Sequence, residues 1–183
     1  MKTPQLVAVL IAAVIAIAAR LVPMPMYNFS ALSALAILSG AVIRPVWLAV
    51  LIPVAVRLLT DTIIHLSTGY GFYGSMPFDY VAYVLLAGIA YFIQPRMIPQ
   101  AIGMALAATL IFFAISNLGA WCMPHAGQYL YPRTLEGLLT CYRNGLPFMK
   151  GTFVSDMVFT IVFFTALQAF SVSAKQPAAG EVR

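Results

Sequence analysis

Apolar residues in this chain fall into long continuous runs, interrupted by short polar connections, with no strict alternation. The runs cover residues 4–22, 30–43, 46–64, 80–94, 99–120 and 152–172. A run of about 20 apolar residues is long enough to cross the hydrocarbon core of a bilayer. In lipid, a spanning segment must bond its own backbone, so such runs read as helices. The pattern predicts an all-α, polytopic transmembrane helix bundle of about six spans. The second and fourth runs are short at ~1.5 Å per residue, and the count becomes five if the second does not cross. Residues 1–172 form one transmembrane domain on this reading. Residues 173–183 are polar, with Pro and Gly, and read as a disordered cytoplasmic tail.

The connections differ in kind. Arg44 with Pro45, and Pro95 with Arg96, make tight basic turns of the sort the positive-inside rule assigns to the cytoplasm. With the N-terminus inside, Lys2, Arg44, Arg96, Lys175 and Arg183 are cytoplasmic, while Arg20, Arg133, Arg143 and Lys150 are outside. The outer connections are then the longer ones, at 23–29, 66–79 and 121–151. The last holds a further helical pattern. Pro132 suits a first turn and Pro147 reads as the stop, and between them Leu135, Leu138, Leu139 and Tyr142 repeat at i, i+3, i+4 and i+7. Arg133, Glu136, Thr140, Arg143 and Asn144 occupy the other side. The expectation is an amphipathic helix in the interface between the fifth and sixth spans, covering the outer end of the bundle.

Composition sharpens this picture. Of 183 residues, 62% are hydrophobic and 8% charged, against about 25% charged in soluble domains. Mean hydropathy is +0.94. Such a chain cannot cover itself in water, so its solvent is lipid. The net charge of +5 comes from singly scattered Lys and Arg, without the patch or stripe that nucleic acid needs. Lys2, the apolar run from Leu6 and the small residues Ala16 and Ala18 also satisfy a signal-peptide pattern. A retained first helix is the reading adopted, because no soluble domain follows it.

Ionisable groups inside apolar runs cost several kcal/mol unless paired or facing water, so each one needs a reason. Arg57 and Asp61 are four apart in the third run, and His65 adds another turn. Asn28 precedes the second run, Asn117 ends the fifth and Asp156 begins the sixth. With alternating helix directions, all of these except Arg57 fall in the outer half, with Arg20 at the same level. Asn28, Asp61, His65, Asn117, Trp121, Tyr131 and Asp156 are therefore the candidate solute-binding residues. The competing reading makes Arg57–Asp61 an intrahelical ion pair and gives Asn28 and Asp156 capping roles.

Other chemistries lack support. Asp61, His65, Asp156, Cys122 and His125 include metal-ligand types, but no motif spacing joins them and Arg57 disfavours a cation. Neither H-E-x-x-H nor G-x-S-x-G occurs, and there is no phosphate-binding G-x-x-x-x-G-K-[ST]. No catalytic residue, metal or cofactor is assigned. Cys122 and Cys141 share the outer connection, where a bridge and two free thiols are both open. Ala8, Ala12 and Ala16 form a small-residue ridge on which another helix can approach closely.

The stretches YNFSALSALAILSGA (27–41), TD (60–61) and FFAISNLGAW through YPRTLEGLLTCYRNGLPF to SDMVFT (112–160) resemble an uncharacterised family of small bacterial multi-pass membrane proteins. That family is in turn similar to the S-components of energy-coupling-factor transporters. The resemblance implies capture of a vitamin-like or micronutrient-like solute beneath the outer connections, in the bacterial cytoplasmic (inner) membrane. It also implies docking of the Ala8, Ala12, Ala16 ridge on a transmembrane T-subunit driven by ATPases. The expected function is a substrate-capture subunit of a small-solute importer, with membrane lipid, solute and that T-subunit as partners and no chemistry of its own. The alternatives are a structural or assembly subunit of a larger complex, and a membrane enzyme using Cys122 or the carboxylates.

Overall fold

The computed structural model describes residues 3–23, 26–125 and 127–173. Lys2, Lys175, Arg183 and the tail beyond Ser173, assigned above to the cytoplasm, lie outside the described residues. Six helices carry the described chain: α1 (Thr3–Leu21), α2 (Leu32–Val42), α3 (Val46–Thr68), α4 (Met76–Ile93), α5 (Ile98–Cys122) and α6 (Leu135–Ser173). Five of them are long and apolar enough to cross a membrane, and α2 is not. At 1.5 Å per residue α2 is roughly 16 Å long, about half the hydrocarbon thickness.

The short helix is central. It packs against all five others, and nine of its residues are buried. Its sequence, LSALAILSGAV, explains how: small side chains let neighbouring backbones close in. A Cβ at Gly40 would strike the backbone oxygen of Ala87 and the side chain of Ala90 on α4. Ser39, fully buried, donates its hydroxyl to Ala36 O and Ala49 O at 3.1 and 2.9 Å, which satisfies a polar group that lipid could not.

Around α2 the long helices bury small residues inward and leave large apolar ones outside. Leu10, Val14, Phe92 and Leu110 are exposed. Soluble monomers rarely show apolar surface of this extent, whereas a lipid-facing bundle requires it. On α1 the buried face is Ala8, Val9, Ala12, Ala16 and Ala19, against α2, α3 and α6. This corrects the expectation of a free docking ridge: Ala12 and Ala16 are at most 1% exposed, because the chain's own helices already occupy it.

The expected amphipathic helix over 132–147 does not end at Pro147. That proline lies inside α6, which runs for 39 residues. Its leading turns pack on the end of α5, where Tyr142 Oη donates to Ala114 O at 2.6 Å and Cys141 Sγ meets Asn117 O at 3.4 Å. An internal proline costs a helix about 3 kcal/mol. Packing along α5 outweighs that cost, so the helix continues. The two helices are antiparallel, with Gln168 reaching Arg96 O at 3.5 Å toward one end and Trp121 Nε1 donating to Pro132 O at 2.9 Å at the other.

Candidate functional site

A half-enclosed cavity of about 400 Å³ lies where α1, α3 and α5 approach their C-terminal ends. All six helices line it. Arg20 comes from α1, Ser33 from the start of α2, Arg57 from α3, and Asp79 and Tyr83 from the first turns of α4. Phe112, Phe113, Ser116 and Asn117 come from α5, and Phe148, Thr152 and Asp156 from α6. The alternation of helix direction puts all these segments at one end of the bundle. A second cavity of about 280 Å³ shares Arg20, Asn28 and Ser30 with the first.

One wall is a closed charge network. Asp61, fully buried, accepts from Arg20 Nη2, from Arg57 Nε at 2.7 Å and from Tyr80 Oη at 3.0 Å. Arg57, 3% exposed, also donates to Asp79 at 3.1 Å and to Tyr73 Oη at 2.7 Å. Tyr73 in turn donates to Asp79. Burial is the main influence on the Tyr73 phenol and raises its pKa well above the usual value, with Arg57 opposing, so it serves as a neutral donor. Two guanidiniums and two carboxylates thus neutralise one another, which is what charges in low dielectric require.

Asp156 stands apart from that network. It is 1% exposed, its Oδ2 accepts from Thr109 Oγ1 at 2.7 Å, and Ser33 also faces it. Its Oδ1 has no partner in the protein. Among the described residues no Lys, Arg or His lies within 4.0 Å of it, all three ion pairs belonging to Asp61 and Asp79. Arg20 Nε is likewise buried without a partner. The residues lining the cavity therefore carry one buried unmatched acceptor and one buried unmatched donor, beside the rings of Phe112, Phe113 and Phe148.

The candidate residues divide sharply. Asn28, Asn117 and Asp156 line the cavity. Asn28 holds φ at 57°, a left-handed conformation that Asn tolerates better than most residues. Asn117 donates to Phe113 O at 2.8 Å and sits against Gly145, where a Cβ would collide with its carboxamide. Asp61 lies behind the lining, engaged by its three donors. His65 is exposed and stacks edge-on with Phe72 at 5.1 Å. Trp121 and Tyr131 lie outside the lining. Trp121 instead anchors the chain before α6, through its bond to Pro132 and the guanidinium of Arg133 4.4 Å above its ring. Both cysteines are free, and no cluster of three metal-ligating side chains occurs among the described residues.

Asp79 is a cavity-lining carboxylate that sequence reasoning missed. The fourth run was counted from Tyr80, yet Pro77 at the start of α4 marks a helix beginning earlier. That start places Asp79 in the first turn, on the face toward Arg57.

Five apolar helices of spanning length, packed round a short buried one and enclosing a polar cavity, define a polytopic helical membrane protein. The chain belongs to the Family of unknown function (DUF6580), whose model matches residues 1–179. No curated protein and no solved structure matches it.

Proposed function

We propose that the protein captures a small solute as the membrane subunit of an importer, in the manner of energy-coupling-factor S-components, in the bacterial cytoplasmic membrane. The observation that carries this is the buried, unpartnered Oδ1 of Asp156, a residue in the lining of a cavity bounded by every helix. A carboxylate oxygen in low dielectric without a donor is costly, and a bound solute would supply the donor. The cavity volume falls within the range of small-molecule sites, and its lining is mainly polar, with aromatic rings from Phe112, Phe113 and Phe148. Arg44 and Arg96 lie in the connections at the opposite end of the bundle, which supports a cytoplasmic placement there and an outward-facing cavity. The chain carries no phosphate-binding loop of the G-x-x-x-x-G-K-[ST] type, so a T-subunit with ATPases would provide the energy. Such a partner would meet a surface other than the alanine ridge.

The structural-subunit reading keeps one observation in its favour. The charges of the Arg20–Asp61–Arg57–Asp79 network balance one another, and its ion pairs hold α1, α3 and α4 together whatever occupies the cavity. We assign that role to the network and solute capture to Asp156, Asn117 and Asn28.

The test is to purify the full chain in mild detergent and identify, by mass spectrometry, small molecules released on denaturation. Wild-type protein is expected to release one compound in near-stoichiometric amount, and Asp156→Asn to release little of it. Release of lipid and detergent alone from both proteins would count against capture.

A further inference from the structure

We infer that the solute is a small organic cation, such as a protonated amine, whose charged nitrogen docks at Asp156 Oδ1. This rests on the capture reading above and adds the sign of the ligand's charge. The charges at the cavity decide it. Arg20, Arg57, Asp79 and Asp156 line the space, and Asp61 lies directly behind. Two guanidiniums face three carboxylates, and the three ion pairs join both guanidiniums to Asp61 and Asp79 alone. One carboxylate is left without a counter-charge. It is the carboxylate at 1% exposure whose Oδ1 lacks any partner.

The surroundings of Asp156 are suited to a cation. Thr109 donates to Oδ2 and Ser33 faces the carboxylate, but both are neutral, and no described lysine or arginine lies within ion-pair distance. Phe112, Phe113 and Phe148 line the same space, and aromatic faces attract ammonium groups. An anionic solute would meet the opposite situation. Both arginines already hold carboxylates, so it would have to displace one of them and leave Asp156 still uncompensated. Elsewhere in the lining, Arg20 carries an Nε–H without a partner, which suits a neutral acceptor such as a hydroxyl or carbonyl oxygen.

Matched thiol reagents of opposite charge test this without knowing the ligand. Ser116 lines the cavity on α5. In a full-length Cys122→Ser, Cys141→Ala background, Ser116→Cys is treated with trimethylammonioethyl methanethiosulfonate and, separately, with its sulfonatoethyl counterpart. Each rate is divided by that reagent's rate at Ser67→Cys, an exposed position at the end of α3. Any effect of the local field on thiolate formation acts on both reagents alike and cancels in the ratio. The cationic reagent is expected to be favoured about tenfold, as one uncompensated charge in the lining of the same cavity implies at an effective dielectric of about 20. Adding Asp156→Asn should bring the ratio close to one.

Reaction with both reagents and no preference, or a preference for the anion, would overturn the cation assignment and leave capture standing. A cation preference unchanged by Asp156→Asn would remove Asp156 from the role. Failure of both reagents to modify the Ser116→Cys protein would mean that the cavity is closed, and would count against the capture reading as well. If Asp156→Asn does not fold, the comparison in the Ser116→Cys protein still decides the sign of the charge.

Discussion

Asp61 and Asp156 are both buried carboxylates in apolar helices, yet they answer to different physics. Asp61 accepts from two guanidiniums and a phenol. Neutralising it strands Arg20 and Arg57 with Asp79 alone, and breaking a buried pair costs about 3–5 kcal/mol. Asp61→Asn should therefore lower the thermal unfolding temperature of the detergent-solubilised protein substantially. Asp156→Asn keeps an oxygen for Thr109 and removes a buried charge that belongs to no ion pair, so it should not lower the unfolding temperature. The same melting experiment ranks the two, and equal losses would erase the distinction between scaffold and site. Gly145 carries a third expectation: a methyl group there meets the Asn117 side chain. Gly145→Ala should displace that carboxamide from the cavity wall and weaken retention of the co-purified solute more than it lowers stability.

At the level of elements, the packing of α2 invites the sharpest test. Gly40 lies against the α4 backbone at Ala87, with no side chain to give way. Gly40→Ala overpacks that contact and should cost about 1–3 kcal/mol, read as a lower unfolding temperature, whereas the same change at Gly103, which has open space, should be neutral or better. Much of this level was legible in the sequence. Apolar runs located every long helix at least in part, and the four-residue spacing of Arg57 and Asp61 offered their ion pair as the competing reading to solute binding by Asp61. Three things were not legible. Alanines at every fourth position signal close packing but not its partner, so Ala8, Ala12 and Ala16 read equally well as an outer or inner face. Proline at 147 ordinarily ends a helix, and packing of Tyr142 and Cys141 on α5 carries α6 through it. Asp79 was hidden because hydropathy places the start of a span at its first continuous apolar residues, while a helix can begin a turn earlier.

Across the whole molecule, helix directions alternate about the cavity. The ends of α1, α3 and α5 meet the starts of α2 and α4 there, while the Arg44 and Arg96 turns lie at the far end. The two described chain ends, at Thr3 and Ser173, therefore lie on the same side of the bundle. A green fluorescent protein fused to the C-terminus, a reporter that fluoresces when it folds in the bacterial cytoplasm, should be bright, and a dark fusion would reverse the orientation. The central claim is that a guest occupies the cavity and completes the partners of Asp156. An experimental density map of the protein purified from its native membrane tests this most directly. The account predicts compact non-protein density within hydrogen-bonding distance of Asp156 Oδ1. Side chains filling that space, or a protein donor bonded to that oxygen, would contradict it.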